Sequence, residues 1–135
     1  MNSIATCCCG HASIEVQGKP LVNSICHCND CKKRTGSAFG ISVYVKYKQI
    51  VKLCGETTIY KIETGTAQER HFCVSCGTTL YWQTANFPKL TGIAGGCFNN
   101  INDLEPEYNF RSENMCAWLA IPDNWKTTIA PETFQ

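Results

Sequence analysis

Three tight cysteine clusters constrain this chain more than any other feature. They read Cys7-Cys8-Cys9-Gly10, Cys26-His27-Cys28-Asn29-Asp30-Cys31 and Cys73-Val74-Ser75-Cys76-Gly77. With the outer pair of the first cluster, the spacings are C-x-C, C-x-C-x-x-C and C-x-x-C. That yields seven candidate metal ligands out of 11 cysteines. A closed structural zinc site takes four protein ligands, whereas a catalytic site takes three and keeps one position open. A set of seven therefore divides into one site that holds the fold and one that does chemistry.

The rest of the composition narrows the class. A length of 135 residues suits one domain, taken as residues 1–135, and 44% hydrophobic against 17% charged residues is a globular composition. No apolar run reaches the length of a membrane span. The N-terminus carries no basic region followed by an apolar stretch, so no secretory signal is expected and a cytoplasmic location is. In a reducing compartment cysteine clusters bind metal more often than they form disulfides. The formal charge of +1 leaves no broad basic surface for nucleic acid. The one basic run, Lys32-Lys33-Arg34, directly follows Cys31 and is placed to hold an anionic substrate beside a metal.

The hydrophobic pattern is mostly that of strands. Alternation over 12–16, 41–45, 50–53, 57–62, 78–83 and 116–121, with glycines between, predicts an all-β assembly of antiparallel sheets. One short helix is expected from Asn29 to Arg34. Cysteine pairs then fall at strand ends and hairpin turns, where zinc knuckles form.

The pairing of clusters follows from their form. Cys73 and Cys76 make a C-x-x-C knuckle with Gly77 behind it, and Cys7 and Cys9 with Gly10 are its natural partner. Cys26, Cys28 and Cys31 remain as a group of three. A fourth ligand from His27, Cys8, Cys54, Cys97 or Cys116 would close that group. His27 and Cys8, however, lie between ligands and should point away. Cys54, Cys97 and Cys116 sit alone in apolar stretches, as small buried hydrophobes do. A dithiol switch is the redox alternative.

The motifs together resemble the glutathione-dependent formaldehyde-activating enzymes, whose domain also occurs in centromere protein V. The resemblance is carried by Cys7-Cys8-Cys9-Gly10, by Cys26-His27-Cys28-Asn29-Asp30-Cys31-Lys32-Lys33-Arg34-Thr35-Gly36-Ser37, by Phe72-Cys73-Val74-Ser75-Cys76-Gly77-Thr78 and by Trp118. It implies a β-tent fold pinned by a structural zinc on Cys7, Cys9, Cys73 and Cys76. It also implies a second, labile zinc on Cys26, Cys28 and Cys31, hence two Zn²⁺ per chain. The implied reaction is condensation of formaldehyde with glutathione, a carbon–sulfur lyase in the reverse naming. Asn109 stands where that family often has a histidine.

In an enzyme of this kind Cys26, Cys28 and Cys31 carry the catalytic metal. Lys32, Lys33, Arg34, Thr35, Gly36 and Ser37 then form the substrate-binding loop. The partners would be a small thiol such as glutathione and an aldehyde, with neither nucleic acid nor membrane. Two other readings stay open: a zinc-stabilised interaction or chaperone-like module, and a thiol-redox enzyme like the methionine sulfoxide reductases.

Overall fold

A computed structural model of the chain describes residues 2–128. It contains eleven strands and one α-helix among those residues. The strands are β1 (Asn2–Thr6), β2 (Ser13–Gln17), β3 (Val22–Cys26), β4 (Gly40–Lys46), β5 (Ile50–Cys54) and β6 (Thr57–Ile62), followed by β7 (Gln68–Cys73), β8 (Thr79–Thr84), β9 (Leu90–Ala94), β10 (Tyr108–Phe110) and β11 (Lys126–Thr128). The helix, α1, spans Asn29–Thr35.

The strands make two sheets. The small one has the order β1-β2-β5, and the large one β11-β10-β3-β4-β9-β8-β7-β6. Pairing is antiparallel throughout except at one edge, where β10 lies parallel to both β3 and β11. That edge departs from the purely antiparallel expectation. β10 arrives after a long excursion from β9, and such a connection permits either direction.

Strand alternation decides what each face of the large sheet covers. Val43 and Val45 of β4, Ile93 of β9 and Leu80 of β8 point one way. They meet Ala5, Ile14 and Val16 of the small sheet in a single buried cluster. The opposite face carries Val22, Tyr44 and Phe110, packed with Phe87 and Leu90. Both faces of the central strands are thus covered, which explains why β9 is buried at all five positions. By contrast β6 lies at the sheet edge, with Ile59 and Tyr60 exposed.

The helix is short and its ends are chemically defined. Cys28 is the N-cap, its sulfur accepting from the Cys31 N–H at 3.4 Å. Gly36 terminates the helix at φ 66, a left-handed position that glycine takes without strain, and donates its N–H to the Lys32 carbonyl. Lys32, Lys33 and Arg34 fill the last turn, where positive charge meets the negative end of the helix dipole.

Two sequence expectations need correction. Residues 116–121 form no strand but run through a turn into irregular chain. Cys54 is exposed at the end of an edge strand, while Cys97 and Cys116 are half-buried. The apolar neighbours of these cysteines suggested burial, but β5 has no second layer over its outer side.

This packing predicts where stability resides. Ile93→Ala, at a fully buried position, should lower the unfolding free energy by about 2–5 kcal/mol. Ile59→Ala on the exposed edge should change it by no more than about 0.5 kcal/mol. Urea unfolding followed by circular dichroism distinguishes the two.

Candidate metal centres and adjoining cleft

The first and third cysteine clusters are brought together by two similar turns. After β1, the Cys7 N–H donates to the Ala12 carbonyl and the Gly10 N–H to the Cys7 carbonyl. After β7, the Cys73 N–H donates to the Thr78 carbonyl and the Gly77 N–H to the Cys73 carbonyl. Each turn presents two sulfurs on the same side, one buried and one exposed. The ligand atoms of Cys7, Cys9, Cys73 and Cys76 all lie within 4.8 Å of one another.

Their spacing tests whether a metal fits. Four sulfurs at about 2.3 Å from a tetrahedral zinc sit ~3.8 Å apart. The Cys7–Cys9 and Cys9–Cys73 sulfur separations are 3.6 Å and 3.7 Å. The donor set is all thiolate, and backbone N–H groups of Ala12 and Ser75 point at the Cys7 and Cys73 sulfurs, 3.2 Å and 3.3 Å away. The Thr78 hydroxyl donates to Cys76 and, together with the Thr78 N–H, holds that thiol down to about 5. Cys8 is exposed, and only its backbone N–H participates, donating to Thr78 Oγ1 at 3.1 Å. The site fits a thiophilic divalent ion with no adjustment.

The middle cluster forms a separate group of three. Cys26 ends β3, Cys28 caps α1 and Cys31 lies in its first turn, and the three sulfurs are again within 4.8 Å of one another. Among the described residues no fourth Cys, His, Asp or Glu joins them. His27 turns away, as its position between two ligands requires. Its ring is fully buried, and Nε2 donates to Oδ1 of Asn109. Cys8, Cys54, Cys97 and Cys116 stay outside the group as well. Hydrogen bonds from Cys26 and Cys31 push the Cys28 thiol well below its ordinary value, and Cys28 in turn keeps Cys26 protonated.

A cleft of about 280 Å³ opens directly beside this group. The register explains its floor. Cys26 pairs with Gly40, Ser24 with Ser42 and Val22 with Tyr44, so Cys26, Ser42 and Tyr44 share a face of the sheet. Phe110, paired with Cys26, and Phe87 supply apolar walls. Asp30, Gln68, Arg111, Glu113 and Asn114 are its polar lining. Arg111 is the one described non-glycine residue at positive φ, 56.

The basic run and its loop lie elsewhere. Neither Lys32, Lys33, Arg34, Thr35, Gly36 nor Ser37 lines this cleft. Lys32 Nζ donates to the Asn114 carbonyl at 2.7 Å, and Arg34 stacks on the Trp82 ring at 4.4 Å. Thr35 and Ser37 border a different hollow, shared with Gly77, Thr78 and Cys97. The cleft-lining residues missed from sequence are Ser42, Tyr44 and the segment around Arg111. Alternation along β4 does place Ser42 and Tyr44 on one face. Which face carries the cysteines depends on the Cys26–Gly40 register, which no local pattern announces.

Comparison with known proteins adds an independent line. A profile of the glutathione-dependent formaldehyde-activating enzyme family matches residues 2–114. A Fusarium vanettenii protein, provisionally named as a glutathione-dependent formaldehyde-activating enzyme, is 29% identical over 77 residues. That match covers 56% of this chain and 41% of the Fusarium protein, so the chain spans about two fifths of this relative's length. A crystal structure of a Rhodobacter sphaeroides protein superposes with a TM-score of 0.58 at 24% identity, over 71% of this chain and 87% of that one. At that identity the likeness is one of fold.

The two groups should behave differently when a ligand is removed. Binding free energies of about 10–16 kcal/mol for a structural zinc match or exceed the whole stability of a domain, roughly 5–15 kcal/mol. Cys76→Ser should therefore unfold the chain or leave it aggregated. Cys31→Ser should keep native circular dichroism and lose one metal per chain by elemental analysis.

Proposed function

Because the chain belongs to the glutathione-dependent formaldehyde-activating enzyme family, we propose that it joins a small thiol of the glutathione kind to an aldehyde such as formaldehyde. The product is the S-hydroxymethyl thiol, and the reverse reaction is a carbon–sulfur lyase. One observation supports this reading above the others. The three-sulfur group has no fourth ligand among the described residues and adjoins a cleft.

A zinc ion held by Cys26, Cys28 and Cys31 would bind the substrate sulfur at its free position and favour the thiolate, since ligation deprotonates a thiol. The other tasks fall to the chain itself. Phe87 and Phe110 keep one side of the cleft apolar, which limits competing hydration of the aldehyde. Arg111 offers a guanidinium for a substrate carboxylate, and Asp30 and Glu113 offer carboxylates for an ammonium group. A γ-glutamyl peptide carries both kinds of charge. In this reading the charged ends of the thiol meet Arg111, Asp30 and Glu113 rather than the loop from Lys32 to Ser37. Lys32 is held by the Asn114 carbonyl, and Arg34 lies over the Trp82 ring and faces a separate hollow. Three thiolate ligands would leave a bound zinc a weak Lewis acid, so the chemistry it would supply is stabilisation of a thiolate rather than activation of water.

The zinc-loaded protein should speed formation of S-hydroxymethylglutathione above the spontaneous rate, followed by exchange NMR at low reactant concentration. Arg111→Ala should raise the KM for glutathione about tenfold, the loss expected from one charge-assisted hydrogen bond of about 1.5 kcal/mol. No acceleration with any thiol and aldehyde tested would instead favour a zinc-stabilised interaction module.

A further inference from the structure

Tyr44 occupies an unusual position for a core aromatic residue. It lies at the centre of β4, is only 7% exposed, and yet lines the cleft beside Cys26, Cys28 and Cys31. Its ring is fixed by Phe87, with centroids 4.3 Å apart, and by the edge of Trp82 at 6.4 Å. The Trp82 indole Nε1–H donates to the Tyr44 hydroxyl oxygen at 3.3 Å. An indole can only donate. That bond therefore occupies an acceptor site of the hydroxyl and leaves its proton free to be given. Among the described residues no group accepts it, and the open space that Tyr44 borders is the cleft.

The surrounding sequence is arranged around this contact. Tyr44, Gly92 and Trp82 are consecutive partners across β4, β9 and β8. A Cβ at position 92 would lie 2.2 Å from Trp82 Nε1, so only glycine there lets the indole reach across β9. Arg34 covers the far side of the indole at 4.4 Å. Burial pushes the Tyr44 phenol above its ordinary value, against the Trp82 hydrogen bond, which lowers it. The hydroxyl therefore keeps its proton throughout the neutral range.

We propose that the Tyr44 hydroxyl is the hydrogen-bond donor to the aldehyde oxygen while the carbon–sulfur bond forms, a catalytic role that rests on the reaction proposed above. In that step the substrate sulfur forms a bond to the carbonyl carbon, and the C=O π pair moves to oxygen. The oxygen gains negative charge as it does so, and the Tyr44 O–H meets it without transferring its own proton. The oxygen then takes from solvent a proton equal to the one the thiol gave up, so the sum is thiol plus aldehyde to S-hydroxyalkyl thiol. A fixed donor acts mainly on the transition state, where the charge is largest. Trp82 and Gly92 act through Tyr44 and are positioning residues.

The test uses the zinc-loaded protein, glutathione and formaldehyde, with a binding measurement beside the kinetics. Removing one oxyanion donor costs roughly 100- to 1,000-fold in kcat. Tyr44→Phe should therefore lose about 100-fold in kcat, with the KM for glutathione and metal content near those of the unmodified protein and a thermal midpoint lowered by the unpaired Trp82 N–H. Trp82→Phe, which removes the indole N–H along with part of the ring system, should show a smaller loss of the same kind and some loss of stability. By calorimetry the unmodified protein should bind S-acetylglutathione more tightly than S-ethylglutathione, since only the former has a carbonyl oxygen at the corresponding place. Tyr44→Phe should abolish that preference. Equal affinities for the two ligands in the unmodified protein overturn the role of Tyr44, whether or not the variants fold. A fully active Tyr44→Phe protein does the same while leaving the reaction standing. No acceleration by the unmodified protein overturns the reaction and this role with it.

Discussion

The architecture depends on four sulfurs that cannot stay together by themselves. Cys7 and Cys9 come from the end of the small sheet, Cys73 and Cys76 from a turn of the large one. The Cys9 and Cys73 sulfurs are 3.7 Å apart although 64 residues separate them in the chain. Closing a loop of that length costs roughly 4 kcal/mol of chain entropy. Four ionised sulfurs at that distance also repel one another strongly. A divalent cation reverses the sign of the second term and covers the first several times over. The small sheet packs on the large one through residues such as Ala5, Ile14 and Val16, in the same buried cluster as Cys7 and Cys73.

The three-sulfur group obeys the same chemistry with the opposite purpose. It lies on the other face of the large sheet, away from the small one, with α1 beside it and a cleft in front. Nothing about it ties distant segments together, since Cys26, Cys28 and Cys31 span one strand end and one helical turn. Its loss should cost little stability, which leaves its geometry free to serve a substrate. The cleft floor is made by β3 and β4, and the reverse side of β4 contributes Val43 and Val45 to the main core. In the proposed reaction the substrate would meet this sheet surface, and the two faces of one sheet would carry the two tasks.

Sequence reading found the two cysteine groups that could hold a metal because their signal is local. A C-x-x-C or C-x-C turn needs only a few residues to be recognised, and the division into four and three followed from counting. The helix from Asn29 was legible for a related reason: cap, basic last turn and Gly36 all lie within nine residues. The cleft was not legible. Tyr44 looks like one more aromatic residue in an alternating strand until Cys26 is seen to pair with Gly40. The same holds for Arg111, which reaches the site because β10 returns to lie parallel to β3. The Lys32-Lys33-Arg34 run follows Cys31 directly in the chain but does not line the cleft. Adjacency to Cys31 suggested contact with substrate, yet on a helix consecutive residues face different ways. Two of the three side chains are engaged by Asn114 and Trp82. Residues 116–121 misled because apolar alternation does not by itself supply a strand partner.

Central to this account is that one sulfur group holds the fold and the other does not. Stepwise removal of metal from the loaded protein by a graded series of chelators tests it most directly, with bound metal and far-ultraviolet circular dichroism read on the same samples. The account predicts two events. The first metal leaves to a weak chelator with the β-sheet signal intact, and the second leaves only to a strong one, with loss of the fold. Two metals of equal tightness, or collapse of the sheet signal when the first departs, would contradict it.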